Sequence, residues 1–228
     1  MPQDRLGALI FDLDGTLIDS EKYHVRAFAG AMKELAGYEL TPADEAEFLG
    51  NTSVWLAARL ARRHGLHLDP QAVAARKFEV LYRDFEAELF PGAEAFVRAW
   101  AGRLPLAVAS NSPRHFVEKA LDQTRLRECF AVVTTIDDVQ QRKPDPEMVS
   151  LTLARLGVSA GAALVFEDTA LGVEAAQRAG CAVVLVDNGF AAQAGAVPSA
   201  VPVVTWQALR AAADGLSGLA GGLWRRLP

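Results

Sequence analysis

Short apolar runs rich in Val, Leu, Ile and Ala recur along the chain: ALIF at 8–11, LPLAVAS at 104–110, FAVVTT at 130–135, AALVFED at 162–168, CAVVLVD at 181–187 and VPVVTW at 201–206. Runs that stay apolar, instead of alternating with polar residues, predict strands buried on both faces, as in a parallel sheet. From Ala93 onward, stretches of helical periodicity separate them, at 93–102, 113–127, 145–157 and 170–179. Strand–helix alternation of this kind predicts βαβ units and a doubly wound α/β sheet. Pro113 just inside one helix follows Ser112, a candidate cap. Gly180 stands where the last of these helices should stop.

One interval breaks the alternation. Between Ser20 and Phe90 the segments KYHVRAFAGAMKELAG, PADEAEFLG, SVWLAARLARRHG and PQAVAARKFEVLYRDFEAEL read as four amphipathic helices, with breaks at Gly37, Gly50 and Gly65. A crossover between parallel strands needs far less chain. The pattern predicts a helical domain, 20–87, inserted into the first loop of an α/β core formed by 1–19 and 88–228. The stretch LFPGAEAF at 89–96 returns the chain to that core. The tail from Ala211 is weakly helical and rich in Gly, and no internal repeat is present.

Composition narrows the partners. With 228 residues, 51% of them hydrophobic and 22% charged, the chain can bury a sizeable core. A net charge of −5 without a Lys/Arg block argues against nucleic acid. Cys129 and Cys181 lie in apolar, strand-like contexts (ECFAVV and GCAVVLV), which predicts buried, reduced thiols. The first apolar run is short and ends in acids, unlike a signal peptide. No run of about 20 apolar residues is present. The expectation is a cytoplasmic protein, monomeric by default, acting on a small molecule and not on a membrane.

The candidate chemistry begins at LIFDLDGTLIDS, residues 9–20, where Asp12 and Asp14 follow the first strand and Asp19 comes soon after. Like charges this close raise each other's cost of ionisation, so something should neutralise the pair or use it. In open α/β sheets, ligands bind beyond the carboxyl ends of the strands. The residues that end the strands are Asp12 and Asp14, then Ser110 and Asn111, then Glu167 and Asp168; Lys143, in QRKPDPE, opens the helix before that last strand. Asp12, Asp14, Glu167 and Asp168 would form an oxygen-rich site suited to Mg²⁺. Lys143 and backbone N–H groups near Ser110 could hold a phosphate. Taken singly, each motif has a plainer reading: a polar turn at DLDGT, a helix cap at Ser110-Asn111 or Glu167-Asp168, a solvated loop at Lys143.

The set DLDGT, SNS, RKPDP and FEDTALGVEAAQRAG, in that order, resembles the four motifs of the haloacid dehalogenase-type phosphotransferases over nearly the whole chain. The inserted helices match the helical cap of that family. YHVRAF at 23–28 and LDPQAVAARKFEV at 68–80 look most like its sugar-phosphate branch, which includes β-phosphoglucomutase and fructose-1-phosphate-type phosphatases. The resemblance implies a Rossmann-like core and a set of roles. Asp12 would be the nucleophile, forming an aspartyl-phosphate. Asp14 would be the general acid and then the general base, its backbone carbonyl facing the metal. Asp168 would bind Mg²⁺, with Glu167 as ligand or close support, and Ser110, Asn111 and Lys143 would bind the transferring phosphoryl group.

In the cap, His24 falls where β-phosphoglucomutase-like sequences carry a His near the sugar, and a half-exposed structural His is the other reading. Asn51, Thr52 and Ser53 could bind sugar hydroxyls or cap a helix starting near Val54. Trp55 reads first as cap core and second as a substrate contact. His64, His67 and His115 are expected on surfaces, and Ser20 and Phe90 near the hinges. Asp14 counts against a dehalogenase. A mutase should hold a second phosphate with cap cations, yet no Lys or Arg lies between Lys33 and Arg59, where this sequence has Leu49 and Ser53. A binding protein of this fold without catalysis should have lost Asp12, Asp14 or Lys143. The sequence therefore predicts a Mg²⁺-dependent phosphatase of a small phosphorylated metabolite, a sugar phosphate first of all; the alternative is a β-phosphoglucomutase-like isomerase.

Overall fold

The computed structural model of the chain describes residues 6–48, 51–189 and 200–211. The chain divides into two compact units, Met1–Asp19 with Ala87–Pro228, and Ser20–Glu86. Gly50, Leu49 and the tail from residue 212 lie outside the described residues.

The first unit is built on a six-stranded sheet: β1 (Ala8–Phe11), β2 (Leu106–Ser110), β3 (Val132–Thr135), β4 (Ala163–Glu167), β5 (Ala182–Val186) and β6 (Val203–Val204). Its order is β3-β2-β1-β4-β5-β6, and every neighbouring pair is parallel. β1, β2 and β4 are buried at every position, which is what their unbroken apolar sequences predict. The chain winds from β1 to β2 and β3 on one side, then returns to place β4 on the other side of β1. That reversal is a topological switch point, and the carboxyl ends of β1 and β4 open onto it.

The register puts Phe11 beside Phe166, and their rings stack 4.8 Å apart at 8°. Phe96, from α5 (Ala93–Trp100), meets both edge-on, at 6.3 Å from Phe11 and 5.4 Å from Phe166. Trp206, at the start of the last described helix (Trp206–Ala211), stacks on Phe166 at 5.5 Å. Ile10, Val165, Ala107 and Ala109 belong to a second cluster, with Met148, Val149 and Leu153 of the helix Glu147–Leu156 and Val173 and Ala176 of the helix Ala170–Arg178. The two segments that leave and re-enter this unit run side by side: Asp19 N–H donates to Glu88 O at 2.8 Å and Phe90 N–H to Leu17 O at 3.0 Å. Ala87 belongs to the first unit, its N–H held by Gln123 Oε1 at 2.9 Å.

The second unit holds α1 (Glu21–Ala36), α2 (Pro42–Phe48), α3 (Ser53–His64) and α4 (Pro70–Asp84). They pack around Phe28, Met32, Phe48, Leu56, Leu60 and Val73. Gly37 and Gly65 end α1 and α3 in the left-handed conformation, φ 63° and 64°, which costs glycine little.

Several boundaries move. The helix expected over 113–127 runs from Arg114 to Gln123, with Pro113 at its capping position and no side-chain cap. Arg125, at φ 54°, turns the chain into a short turn at Arg127–Cys129. Cys129 therefore sits half-buried in that turn and not in a strand, whereas Cys181 is buried; both are free thiols. The strand expected over 201–206 is two residues long because Trp206 already begins a helix. Among the described residues, no helix is long and apolar enough to cross a membrane.

The aromatic layer yields a stability prediction. Replacing Phe166 by Ala removes a ring packed against Phe11, Phe96 and Trp206, and should cost about 3–5 kcal/mol. Urea denaturation of the two proteins measures it; a loss below about 1 kcal/mol would mean that the layer collapses onto the gap.

Candidate active site

The switch point gathers charged groups from four segments. Asp12 directly follows β1 and donates its N–H to Phe166 O at 2.9 Å, so the sheet ladder itself fixes its backbone. Glu167 is the last residue of β4 and Asp168 follows it. One oxygen each from Asp12, Glu167 and Asp168 fall within 4.8 Å of one another. Lys143 reaches in from the loop before Glu147–Leu156. Its ammonium donates to Asp12 Oδ1 at 2.7 Å, to Ala109 O at 2.6 Å and to Glu167 Oε1. Lys143, Asp12 and Glu167 are all buried.

Burial dominates the electrostatics. It pushes the Asp12 carboxyl up to about 8, with Glu167 and Asp14 adding to the rise and Lys143 opposing it. Burial, then Asp12 and Glu167, push Asp168 well above the usual carboxylate range. Lys143 is held above the ordinary lysine value: burial works against its charge, and the Asp12 and Glu167 carboxylates outweigh it. Three carboxylates face one ammonium, so two negative charges are left over when all are ionised. An all-oxygen donor set with a surplus of negative charge fits a hard divalent cation.

Each acid is held in place. Asp168 accepts from Thr16 Oγ1 on Oδ1 at 3.0 Å and from Asn188 Nδ2 on Oδ2 at 3.3 Å. Asn188 also donates to Gly15 O at 2.6 Å. Gly15 is required here: its φ is 78°, and a Cβ would lie 2.1 Å from Asp168 Oδ2. Gly172 makes similar room, since its Cβ would fall on the Glu167 carboxylate. Thr169 caps the helix Ala170–Arg178 by accepting from Gly172 N–H at 3.1 Å.

Asp14 is not one of the three converging acids. Its Oδ2 accepts from Ser112 Oγ at 2.6 Å. Ser110 is buried at the end of β2, and its Oγ accepts from Ser112 N–H at 3.0 Å. Asn111 spends its amide on the Lys143 backbone, accepting from its N–H at 3.1 Å and donating to its carbonyl at 3.5 Å. Asn111 therefore fixes the lysine that enters the site.

In the helical unit, His24 Nδ1 lies 2.6 Å from Lys77 Nζ. Thr52 caps α3, accepting from Trp55 N–H at 3.1 Å, and Asn51 Nδ2 donates to Glu47 O at 2.9 Å. Trp55 is not core, as first expected: it is 42% exposed, with the Arg59 guanidinium 5.3 Å from its ring centre. Its place in the first turn of α3, after the Thr52 cap, turns it outward while Leu56 and Leu60 take the inner face. His64, His67 and His115 are exposed.

Three residues of these networks were not singled out from sequence, and Ser112 was read only as a helix cap. Thr16 and Ser112 lie inside quoted motifs, and the amide Asn188 stands two residues beyond β5, at the same sheet edge where Asp12 and Asp168 follow β1 and β4. Lys77 carries a readable signal: with Val73, Ala74 and Leu81 it occupies the buried stripe of α4, where a lysine is rarely placed without a partner.

Known proteins resemble this chain over most of its length. The sequence model of a family described as haloacid dehalogenase-like hydrolase matches residues 9–186. The fructose-1-phosphate phosphatase YqaB of Escherichia coli (strain K12) is 34% identical over 78% of this chain and 94% of its own length. The phosphoglycolate phosphatase of Yersinia pseudotuberculosis is 33% identical over 79% of this chain and 80% of its own. The crystal structure of CbbY from Rhodobacter sphaeroides in complex with phosphate superposes with a TM-score of 0.75 at 28% identity, covering 87% of this chain and 93% of that one.

A cation held by Asp12, Glu167 and Asp168 must displace the proton that Asp12 keeps up to about pH 8. Below that value protons compete with the cation, so affinity should rise with pH. One displaced proton corresponds to about tenfold per pH unit. Calorimetric titration with Mg²⁺ between pH 6 and pH 8 checks this; a flat affinity would remove both raised acids, Asp12 and Asp168, from the donor set.

Proposed function

We propose, for a chain that belongs to the haloacid dehalogenase-like hydrolases, a Mg²⁺-dependent phosphatase that hydrolyses a small phosphorylated metabolite, a sugar monophosphate first of all. The observation that carries this reading is the meeting of buried Asp12, Lys143 and Glu167 with half-buried Asp168 at the switch point, with Asp14 two residues from Asp12 on a separate partner. Asp12 attacks phosphorus and becomes an aspartyl-phosphate. Asp14 gives a proton to the departing alcohol, then takes one from the water that hydrolyses the acyl phosphate. Lys143 and the backbone beside Ser110 hold the phosphoryl oxygens in line, the larger part of what phosphoryl transfer requires. Asn111 serves this by holding Lys143. The Asp12, Glu167 and Asp168 carboxylates, with the Asp14 carbonyl, would hold Mg²⁺, which neutralises charge on the transferring group when bound.

The helical unit is assigned the choice of substrate. Asn51 and Thr52 are accounted for by their local bonds, which leaves His24 and Trp55 as its candidates, while Lys77 is engaged by His24 and Arg59 by Glu47. The absence of Lys and Arg from residue 34 to residue 58 favours a substrate with one phosphate. The relatives named above act on fructose 1-phosphate and phosphoglycolate by their names, and both are monophosphates of small polar molecules.

Phosphate release from fructose 1-phosphate, glucose 6-phosphate, β-glucose 1-phosphate, 6-phosphogluconate and phosphoglycolate, with Mg²⁺ and with EDTA, tests the reading. Release from one or a few of these, abolished by EDTA, is expected. Conversion of β-glucose 1-phosphate to glucose 6-phosphate without release would replace the phosphatase by a mutase. Asp12→Asn should fold and lose turnover by about a thousandfold or more, and wild-type activity in it would sink the nucleophile assignment. Asp168→Ala should raise the Mg²⁺ concentration needed for half-maximal rate by at least about tenfold.

A further inference from the structure

Ser112 lies two residues before the first residue of the helix Arg114–Gln123, where a serine would ordinarily serve as a cap. Here the capping position belongs to Pro113, whose side chain makes no cap hydrogen bond. The Arg114 N–H is taken by Asp137 Oδ2 at 2.8 Å. The Ser112 backbone is held on both sides: its N–H donates to Ser110 Oγ at 3.0 Å, and its carbonyl accepts from Ile136 N–H at 3.4 Å. Its hydroxyl, buried and launched from this fixed backbone, donates to Asp14 Oδ2 at 2.6 Å. A serine that could have capped a helix is committed to the second acid of the first motif.

We propose that Ser112 is a positioning residue for Asp14, holding Oδ2 so that Oδ1 is the oxygen that gives up and recovers the proton. The inference rests on the phosphatase reading. In the first half-reaction an Asp12 oxygen bonds to phosphorus and the bond from phosphorus to the alcohol oxygen breaks. The proton on Asp14 Oδ1 passes to that oxygen, leaving Asp14 a carboxylate. In the second, water bonds to phosphorus, its proton returns to Oδ1, and the bond from phosphorus to Asp12 breaks to release phosphate. Oδ2 can accept from Ser112 when Asp14 is acid and when it is carboxylate, so this hydrogen bond persists through the whole cycle. Removing it takes away the bond that fixes Oδ2, and the proton is delivered less often along the line to the leaving oxygen.

Ser112→Ala removes the hydroxyl and keeps both backbone bonds, including the one to Ser110. The test compares kcat/KM for the best sugar phosphate of the panel with kcat/KM for p-nitrophenyl phosphate, whose leaving group departs as a stable phenolate and needs little protonation. The expected loss is about tenfold on the sugar phosphate and below about twofold on the aryl ester. Ser112→Thr, which keeps a hydroxyl, should restore most of the difference. Ser112→Ala placed in an Asp14→Asn background should cost nothing further on the sugar phosphate. Equal losses on the two esters, no loss on either, or additive losses in the double variant would overturn the role. A wild-type protein that releases phosphate from neither ester overturns the phosphatase reading instead, and this inference with it.

Discussion

One ammonium, that of Lys143, bridges two buried carboxylates at the carboxyl edge of the sheet, and the rest of the site is arranged so that this contact can exist. A buried charge whose partner is removed costs several kcal/mol, so Lys143 must be delivered to Asp12 and Glu167 without freedom to leave. Asn111 takes both backbone groups of Lys143, and the Ala109 carbonyl takes one of its ammonium protons. Ala109 is a β2 residue and Asn111 follows β2 directly, so the strand beside β1 aims the lysine across the switch point. Gly172 then leaves the space that Glu167 occupies. The parallel order of β2, β1 and β4 is what makes one lysine reach acids from two strands.

The contact does not balance the site. Three ionised carboxylates against one ammonium leave two negative charges, and the raised Asp12 and Asp168 carboxyls express that imbalance as retained protons. A phosphate monoester brings further negative charge to the same place. Protons could relieve the repulsion, but a protonated Asp12 is a poor nucleophile. A divalent cation relieves it while leaving Asp12 ionised. The electrostatics that make the site costly to fold are therefore the same ones that would favour a hard cation there.

Much of this was legible in the sequence, for a reason that differs between strands and loops. The unbroken apolar runs announced a parallel sheet because burial on both faces leaves little room for polar residues, and the acids at their ends fell where strand geometry puts them. The helical interval was legible because each helix repeats its apolar positions. Local competition was less legible. Pro113 took the capping position from Ser112, Arg125 turned the chain before the expected helix end, and Trp206 opened a helix inside an expected strand. Trp55 was misread because an aromatic residue in an amphipathic helix is usually core, whereas the first turn of α3 presents it outward. Lys77 went unnoticed because a lysine among apolar residues reads as surface until the stripe Val73, Ala74, Leu81 is drawn through it. Thr16, Ser112 and Asn188 make hydrogen bonds to residues 98 or more positions away, and such pairings leave no periodic trace.

The two acids of the opening motif show why separation in the chain matters less than termination of the strand. In a continuing strand, residues two apart point the same way, and Asp12 and Asp14 would compete for one cation and one proton. β1 ends at Phe11, and the chain turns through Gly15 at φ 78°. Asp12 stays in the ladder, buried against Lys143, while Asp14 leaves it and meets Ser112. Two carboxyl groups that share a sequence motif thus receive different partners, and it is on these different environments that the proposed division between an attacking acid and a proton-carrying neighbour rests. The turn that separates them depends on Gly15, and the space above Gly15 is filled by Asp168. The same few atoms that divide the labour of the first two acids also seat the third.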